Sequence, residues 1–256
     1  MQKKLQKENQ FFIQTKEKGN IMSEKMITLK IDGVEIKAKV GQTIMQAADE
    51  AGVYIPRLCY LKDLTPHGSC RVCTVKVNGR CQTACTEPAV DGAEVENKTE
   101  EIEGIRRDIV DMLFVEGNHF CMFCEKSGNC ELQAEAYRLS ICAPKFPYLF
   151  PARDLDGTHP DIFIDRNRCI LCGRCVNASR DVDGKTVFEF VGRGSEKKVA
   201  VNADANLGDT NMAITDKAAD VCPVGAIIKK RVGFAVPVGK RIYDEKPIGS
   251  DIEAKS

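Results

Sequence analysis

Hydrophobic alternation begins abruptly at Ile27. Ile27, Leu29 and Ile31 alternate with polar residues, Asp32-Gly33 interrupts, and Val34, Ile36, Ala38 and Val40 resume the alternation. A period of two on both sides of an Asp-Gly pair predicts a hairpin closed by a two-residue turn. Thr43 and Gln46 form a capping-box pattern at the head of an Ile44, Ala47, Ala48, Ala51 stripe that stops at Gly52, so a helix should pack on this hairpin. Cys73, Val75 and Val77 then alternate with Thr74 and Lys76, Asn78-Gly79 follows, and a return strand runs through Cys85. Two hairpins around one helix predict a small, half-open β/α domain.

From Glu100 the period becomes helical, with Ile102, Ile105, Ile109, Met112 and Leu113 on one face and acids in the first turn. A Cys/His segment at 119 to 130 leads into a short helix from Leu132 to Leu139, then a proline-rich crossing at Pro144, Pro147 and Pro151. Val187 to Val191 and Lys198 to Val201 read as a hairpin, and Ile214 to Val221 as a helix stopped by Pro223. The tail after Val238 is polar and reads as extended. Residues 1–25 carry no periodicity and read as a disordered arm or an over-extended translation start. The expected division is therefore an arm (1–25), a first domain (26–100), a helix plus Cys/His segment (101–145), a second domain (146–238) and a tail (239–256).

Composition narrows the function classes. Lys and Arg number 37, as do Asp and Glu, so no global charge draws the chain to nucleic acid or an anionic membrane. An aromatic content of 6% without tryptophan offers few stacking platforms for single strands. No stretch approaches the roughly 20 apolar residues of a membrane span, and the Lys/Gln/Glu-rich first 25 residues do not read as a secretory signal. A cytoplasmic location without direct membrane insertion is expected. Thirteen cysteines change the picture most: the number is odd, and twelve fall between Cys59 and Cys175, which suits clustered metal ligation better than disulfides.

The strongest pattern is Cys169-x2-Cys172-x2-Cys175, completed by Cys222-Pro223. Structural zinc sites assemble from separated pairs, whereas three thiolates at successive two-residue gaps wrap three corners of a cubane and a distant Cys-Pro closes the fourth. Gly173 allows close backbone approach, and Pro223 breaks the chain away after its thiolate. The spacing is that of a ferredoxin-type [4Fe-4S] site; zinc or buried free thiols is the rival reading. The second pattern is Cys59-x10-Cys70-x2-Cys73-x11-Cys85, the plant-type [2Fe-2S] logic with a longer first loop. Cys81 competes for the fourth place. With Asn78-Gly79 as the turn, residue 73 pairs with 84 and residue 76 with 81, which puts Cys81 about 10 Å up the ladder, favours Cys85 and leaves Cys81 as a buried thiol.

The third pattern is His119-x-Cys121-x2-Cys124-x5-Cys130. Three thiolates are one short of a [4Fe-4S] cubane, and a neutral imidazole can supply the fourth bond. Cys142 is the other candidate for that place, which would leave His119 an ordinary loop residue. His67 and His159 have no thiols at ligand spacing and read as surface or loop histidines. No Walker loop, dinucleotide fingerprint, nucleophile elbow or HExxH is present, so no catalytic residue and no flavin- or nicotinamide-binding residue is identified.

The stretches YIPRLCYLKDLTPHGSCRVCTVKVNG, EGNHFCMFCEKSGNCELQ, RNRCILCGRCV and CPVGAIIKKRVG carry a resemblance over Met26 to about Tyr243. The chain resembles the N-terminal iron-sulfur region shared by the large peripheral-arm subunit of respiratory complex I and iron-only hydrogenases. Most closely it is similar to the small diaphorase subunits of bidirectional NAD-reducing [NiFe] hydrogenases. In the wider group the middle site is His-x3-Cys-x2-Cys-x5-Cys; here Gly117 holds the usual histidine place and His119 stands two residues before Cys121. The end at Ser256, where complex I relatives continue, favours the hydrogenase-type subunit.

The resemblance implies an α+β fold: an N-terminal β-grasp [2Fe-2S] ferredoxin domain, a His/Cys segment and a ferredoxin-like [4Fe-4S] domain. It implies one [2Fe-2S] and two [4Fe-4S] clusters relaying single electrons between a flavin/NAD(P)-binding diaphorase subunit and [NiFe] hydrogenase small and large subunits. Other readings are the equivalent relay subunit of an NAD-linked formate dehydrogenase or complex I type enzyme, a stand-alone ferredoxin, or a zinc-stabilised interaction module.

Overall fold

A computed structural model describes residues 25–254. All of the expected N-terminal arm except Lys25 lies outside the described residues. Strands β1 (Met26–Ile31) and β2 (Val34–Lys39) form the first hairpin, with Ile31 opposite Val34 and positive φ at both Asp32 and Gly33. The capping box is formed: Thr43 accepts from the Gln46 amide while the Gln46 side chain accepts from the Thr43 amide, and α1 (Ile44–Glu50) follows. β3 (Thr74–Val77) and β4 (Arg80–Thr83) pair around Asn78-Gly79 in the expected register, Lys76 facing Cys81. β5 (Glu94–Glu96) joins the two hairpins, lying parallel to β1 and antiparallel to β3. The strand order β2-β1-β5-β3-β4 with one crossing helix is a β-grasp.

Helix α2 (Glu100–Val115) is capped by Thr99 and carries three acids in its first turn. Its buried face is Ile102, Arg106, Val110, Asp111 and Val115, with Met112 exposed. The face is thus rotated from the apolar stripe read in the sequence, because its centre is the charged Arg106. That guanidinium, 2% exposed, donates to Thr74 O (2.7 and 3.1 Å), Asn97 O (2.8 Å) and Asn97 Oδ1 (2.7 Å), satisfying acceptors at the start of β3 and just past the end of β5.

After α3 (Glu131–Arg138), β6 (Leu155–Asp156) and β7 (Ile162–Asp165) open the second domain. Helix α4 (Arg174–Asp181) and the hairpin of β8 (Phe188–Val191) with β9 (Lys198–Val201) come next. The helix read over 214 to 221 is only α5 (Lys217–Asp220), because the Asp183 carboxylate accepts from the amides of Lys217 and Ala218 and so defines its start. β10 (Ile227–Lys229) completes a sheet of order β10-β7-β6, short strands without a clear period of their own. His159, read as a surface or loop residue, is buried, its ring bonded to Met212 O and to the Asp161 amide.

The tail is not extended. It forms α6 (Ile242–Glu245) and α7 (Ser250–Glu253) and returns to the body. Ile248 is buried with Tyr54 and Ala134, and the Ile242 and Tyr243 amides bond Asn129 Oδ1 and Gly128 O. Tyr243, Ile248 and Ile252, three apolar anchors spaced through a polar segment, carry too little periodicity to reveal a docked tail. Among the described residues no helix is long and apolar enough to cross a membrane.

Arg106→Leu preserves side-chain bulk but strands the Thr74 and Asn97 acceptors, which should cost about 3 kcal/mol. Thermal unfolding followed by circular dichroism should show a clear fall in midpoint, whereas Lys37→Ala on the exposed face of β2 should stay within about 0.5 kcal/mol of the parent.

Candidate metal centres

The loop after α1 delivers Cys59, the following loop Cys70 and Cys73, and the end of the second hairpin Cys85. The Ala84 amide continues the ladder onto Cys73 O at 3.1 Å, carrying Cys85 to the inner side of the sheet. All four are buried, Cys85 completely, whereas Cys81, expected as a buried thiol, is exposed because the outer face of edge strand β4 carries it to solvent. Cys59 N lies 3.4 Å from Cys70 Sγ. Hydrogen bonds from Cys70 and Cys85 hold the Cys59 thiol far below its ordinary value, and the bond from Cys85 lowers Cys73. The donors Cys70 and Cys85 are pushed up in turn. Four sulfurs close enough to share protons form a donor set that a metal group would charge-compensate.

His119, Cys121, Cys124 and Cys130 line one small cavity between α2 and α3, and Cys142 lies outside it, exposed. Cys121 opens a 3-10 turn, and Cys130 is the N-cap of α3. The His119 ring meets Phe114 edge-on at 5.6 Å, and its Nε2 is buried without a hydrogen-bond partner. Burial, aided by the Arg168 charge, pushes the imidazole down to about 4, so it is neutral at physiological pH. A neutral ring with a buried, unpartnered nitrogen that shares a cavity with three thiols has the chemistry of a ligand. Gly117 leaves the room this ring occupies. A Cβ on Gly117 would stand 2.6 Å from His119 Nε2 and 2.9 Å from Asn167 O. Burial pushes the Cys130 thiol up to about 12, a cost that metal binding would remove.

Cys169, Cys172, Cys175 and Cys222 line a second cavity, walled by apolar side chains that include Ile164, Phe188 and Ile227. Leu171 and Gly173 take left-handed conformations, at φ +53° and +79°, which curl the loop around the cavity before α4. Burial pushes Cys169 up to about 11 and raises Cys172 and Cys175 also. No three His, Cys, Asp or Glu side chains among the described residues converge as the ligands of a single metal ion.

The three sites meet at Arg174, between Cys172 and Cys175. Its side chain, 2% exposed, makes a bidentate ion pair with Glu131 (2.6 and 2.7 Å), the residue after Cys130. It also donates to Tyr60 O (2.8 Å), the residue after Cys59. The Glu131 amide bonds Pro223 O at 2.8 Å, and Ser69 Oγ bonds Leu171 O at 3.3 Å. Arg168 performs a similar span, its Nη1 lying 3.6 Å from Cys124 Sγ. Neither arginine was singled out in the sequence, although both flank cysteines in RNRCILCGRCV. Glu135 was missed as well. It is fully buried, accepts from Tyr54 Oη (2.5 Å) and the Arg57 amide (3.0 Å), and is pushed up to about 7 by burial.

Fold and donor sets define an iron-sulfur protein. Three family models match: a 2Fe-2S iron-sulfur cluster binding domain over residues 24–100, the NADH-ubiquinone oxidoreductase-G iron-sulfur binding region over 106–143, and a 4Fe-4S single cluster domain over 162–228. The NAD-reducing hydrogenase HoxS subunit gamma of Cupriavidus necator is 43% identical over 220 residues, covering 85% of this chain and 93% of that one. The chain belongs to the family of that subunit. A crystal structure of an NAD+-reducing [NiFe]-hydrogenase in the H2-reduced state contains a similar chain, at TM-score 0.84 and 46% identity, covering 86% of this chain and 94% of that one. The NADPH-Fe(3+) oxidoreductase subunit alpha of Geobacter sulfurreducens is 34% identical over 82% of this chain, which spans only 25% of that protein. The mitochondrial 78 kDa NADH-ubiquinone oxidoreductase subunit of Candida albicans is 31% identical over 81% of this chain and 29% of its own length.

Because Glu135 has a folded-state value near 7 against an ordinary 4.5, its stabilising contribution is fully present below about pH 4.5 and is lost as pH rises through 7. The loss approaches about 3 kcal/mol by pH 8. Glu135→Gln should flatten this part of the pH dependence, measured as unfolding midpoints at pH 5, 6, 7 and 8.

Proposed function

We propose that the chain is the electron-relay subunit of an NAD(P)-linked hydrogenase. Cys59, Cys70, Cys73 and Cys85 hold one [2Fe-2S] cluster. His119, Cys121, Cys124 and Cys130 hold one [4Fe-4S] cluster, and Cys169, Cys172, Cys175 and Cys222 hold the other. The observation that carries the reading is the meeting of three separate donor sets on Arg174, within one family whose members include a hydrogenase subunit. Iron-sulfur clusters supply one-electron carriers, which suits a link between two-electron hydride chemistry and a metal centre. The chain's own residues bury the sulfurs, exclude water and place cations beside them.

The partners on this reading are a flavin/NAD(P)-binding diaphorase subunit and the [NiFe] hydrogenase small and large subunits. Phe120, Met122 and Phe123 support a docked neighbour, since all three stand exposed on the loop that carries Cys121 and Cys124, with Met122 80% exposed. The expected division at 26–100, 101–145, 146–238 and 239–256 belongs to the same proposal.

Anaerobically purified protein should carry about ten irons per chain, and iron near two with substantial zinc would overturn the three-cluster reading. Cys85→Ser should abolish the [2Fe-2S] paramagnetic signal while Cys81→Ser leaves it. Likewise, His119→Ala should perturb or remove the middle cluster's signal and Cys142→Ala should not.

Function is tested by reconstitution. The isolated chain should reduce no artificial acceptor with NADH, although dithionite should reduce its clusters. Co-expression with the flavin subunit should yield diaphorase activity, and the hydrogenase subunits should couple it to hydrogen. A formate-oxidising molybdenum partner as the sole co-purifying enzyme would leave the relay standing and remove the hydrogenase assignment.

A further inference from the structure

We propose that Arg168 raises the reduction potential of the middle site by holding a fixed positive charge and an N–H donor against the Cys124 sulfur. The inference rests on the assignment of His119, Cys121, Cys124 and Cys130 as the ligands of that site.

The geometry is specific to the middle site. Arg168 immediately precedes Cys169, yet its side chain turns away from that cysteine and into the wall of the neighbouring cavity. Nη1 lies 3.6 Å from Cys124 Sγ, 3.0 Å from Glu125 Oε2 and 3.4 Å from Gly225 O, while Nε pairs with Asp165 Oδ2 at 2.9 Å. Anchoring from both ends fixes the guanidinium, which no accessible pH deprotonates. Gly225 leaves the room: a Cβ there would stand 2.8 Å from Cys124 Sγ and 3.3 Å from Arg168 Nη1. Arg168 lines the same cavity as His119, Cys121, Cys124 and Cys130.

Reduction adds one negative charge to a cluster, so a nearby cation and a hydrogen bond to a ligand sulfur both favour the reduced form. Glu125 opposes this by partly cancelling the same cation. The two residues therefore make predictions of opposite sign, which a merely structural role would not produce.

The test uses the complex co-purified anaerobically with its partners, in the parent and in Arg168→Met, Arg168→Lys and Glu125→Gln. Redox titration monitored by electron paramagnetic resonance follows the middle and third clusters separately, with iron content measured on each sample. In Arg168→Met the reduced-to-oxidised ratio of the middle cluster at fixed potential should fall about tenfold, which is about 59 mV for one electron. Arg168→Lys should recover part of the loss, Glu125→Gln should shift the ratio upward, and the third cluster should hold its potential in all three. An iron-replete Arg168→Met sample with an unchanged middle potential would overturn the inference, as would shifts of the same sign in Arg168→Met and Glu125→Gln, or an equal shift of the third cluster. If Arg168→Met loses the middle cluster, Glu125→Gln decides alone: an upward shift supports the inference and no shift overturns it. A parent complex with the other two clusters but no middle cluster would remove the ligand assignment itself, and this inference with it.

Discussion

One guanidinium holds the three cysteine sites in a common frame. Arg174 belongs to the third site by sequence, grips the residue after Cys130 with two charged hydrogen bonds, and caps the carbonyl of the residue after Cys59. A charge this deeply buried is stable only when paired and hydrogen-bonded. The pairing therefore ties the relative positions of two cysteine loops and the start of α3 to the ion pair and hydrogen bond of one side chain. A lysine could neutralise Glu131 but could not present the planar fork that engages both carboxylate oxygens while still reaching Tyr60 O.

The same physics recurs at smaller scale. Burial raises the thiols of the second and third sites because a thiolate without compensation is costly in an apolar surround. Arginines are arranged around them: Arg168 at Cys124, Arg153 and Arg166 near Cys169, and Arg174 near Cys172. In the first site the thiols instead lie close enough to hydrogen-bond one another, so their protonation is shared among them. Local cations and hydrogen bonds to sulfur are levers by which a protein separates the potentials of chemically similar clusters.

The docked tail extends this logic to the periphery. Arg138, on the helix that Cys130 caps, stacks on Tyr54 at 4.7 Å and pairs with Glu253 and Ile248 O in the tail. Tyr54 in turn donates to the buried Glu135. The C-terminal segment thus packs against both the β-grasp domain and α3 and lines the open cavity between them.

Local chemistry made much of this legible from the sequence. The Asp32-Gly33 and Asn78-Gly79 turns, the Thr43 capping box and the register that sets Cys81 apart from Cys85 all follow from interactions within a few residues, and the structure reproduces each of them. Cysteine spacing likewise grouped the thiols, because a short loop can only wrap so far. What the sequence could not disclose depended on residues far apart in the chain. The buried face of α2 centres on an arginine, the start of α5 is set by Asp183, His159 is interior, and the polar tail folds back. Each rests on a charged or polar group whose partners are carbonyls or carboxylates brought close only by the tertiary fold. Hydrophobic periodicity records where apolar surface goes; it carries no record of which distant acceptor a buried guanidinium will find, and here those guanidiniums decide how the sites are joined.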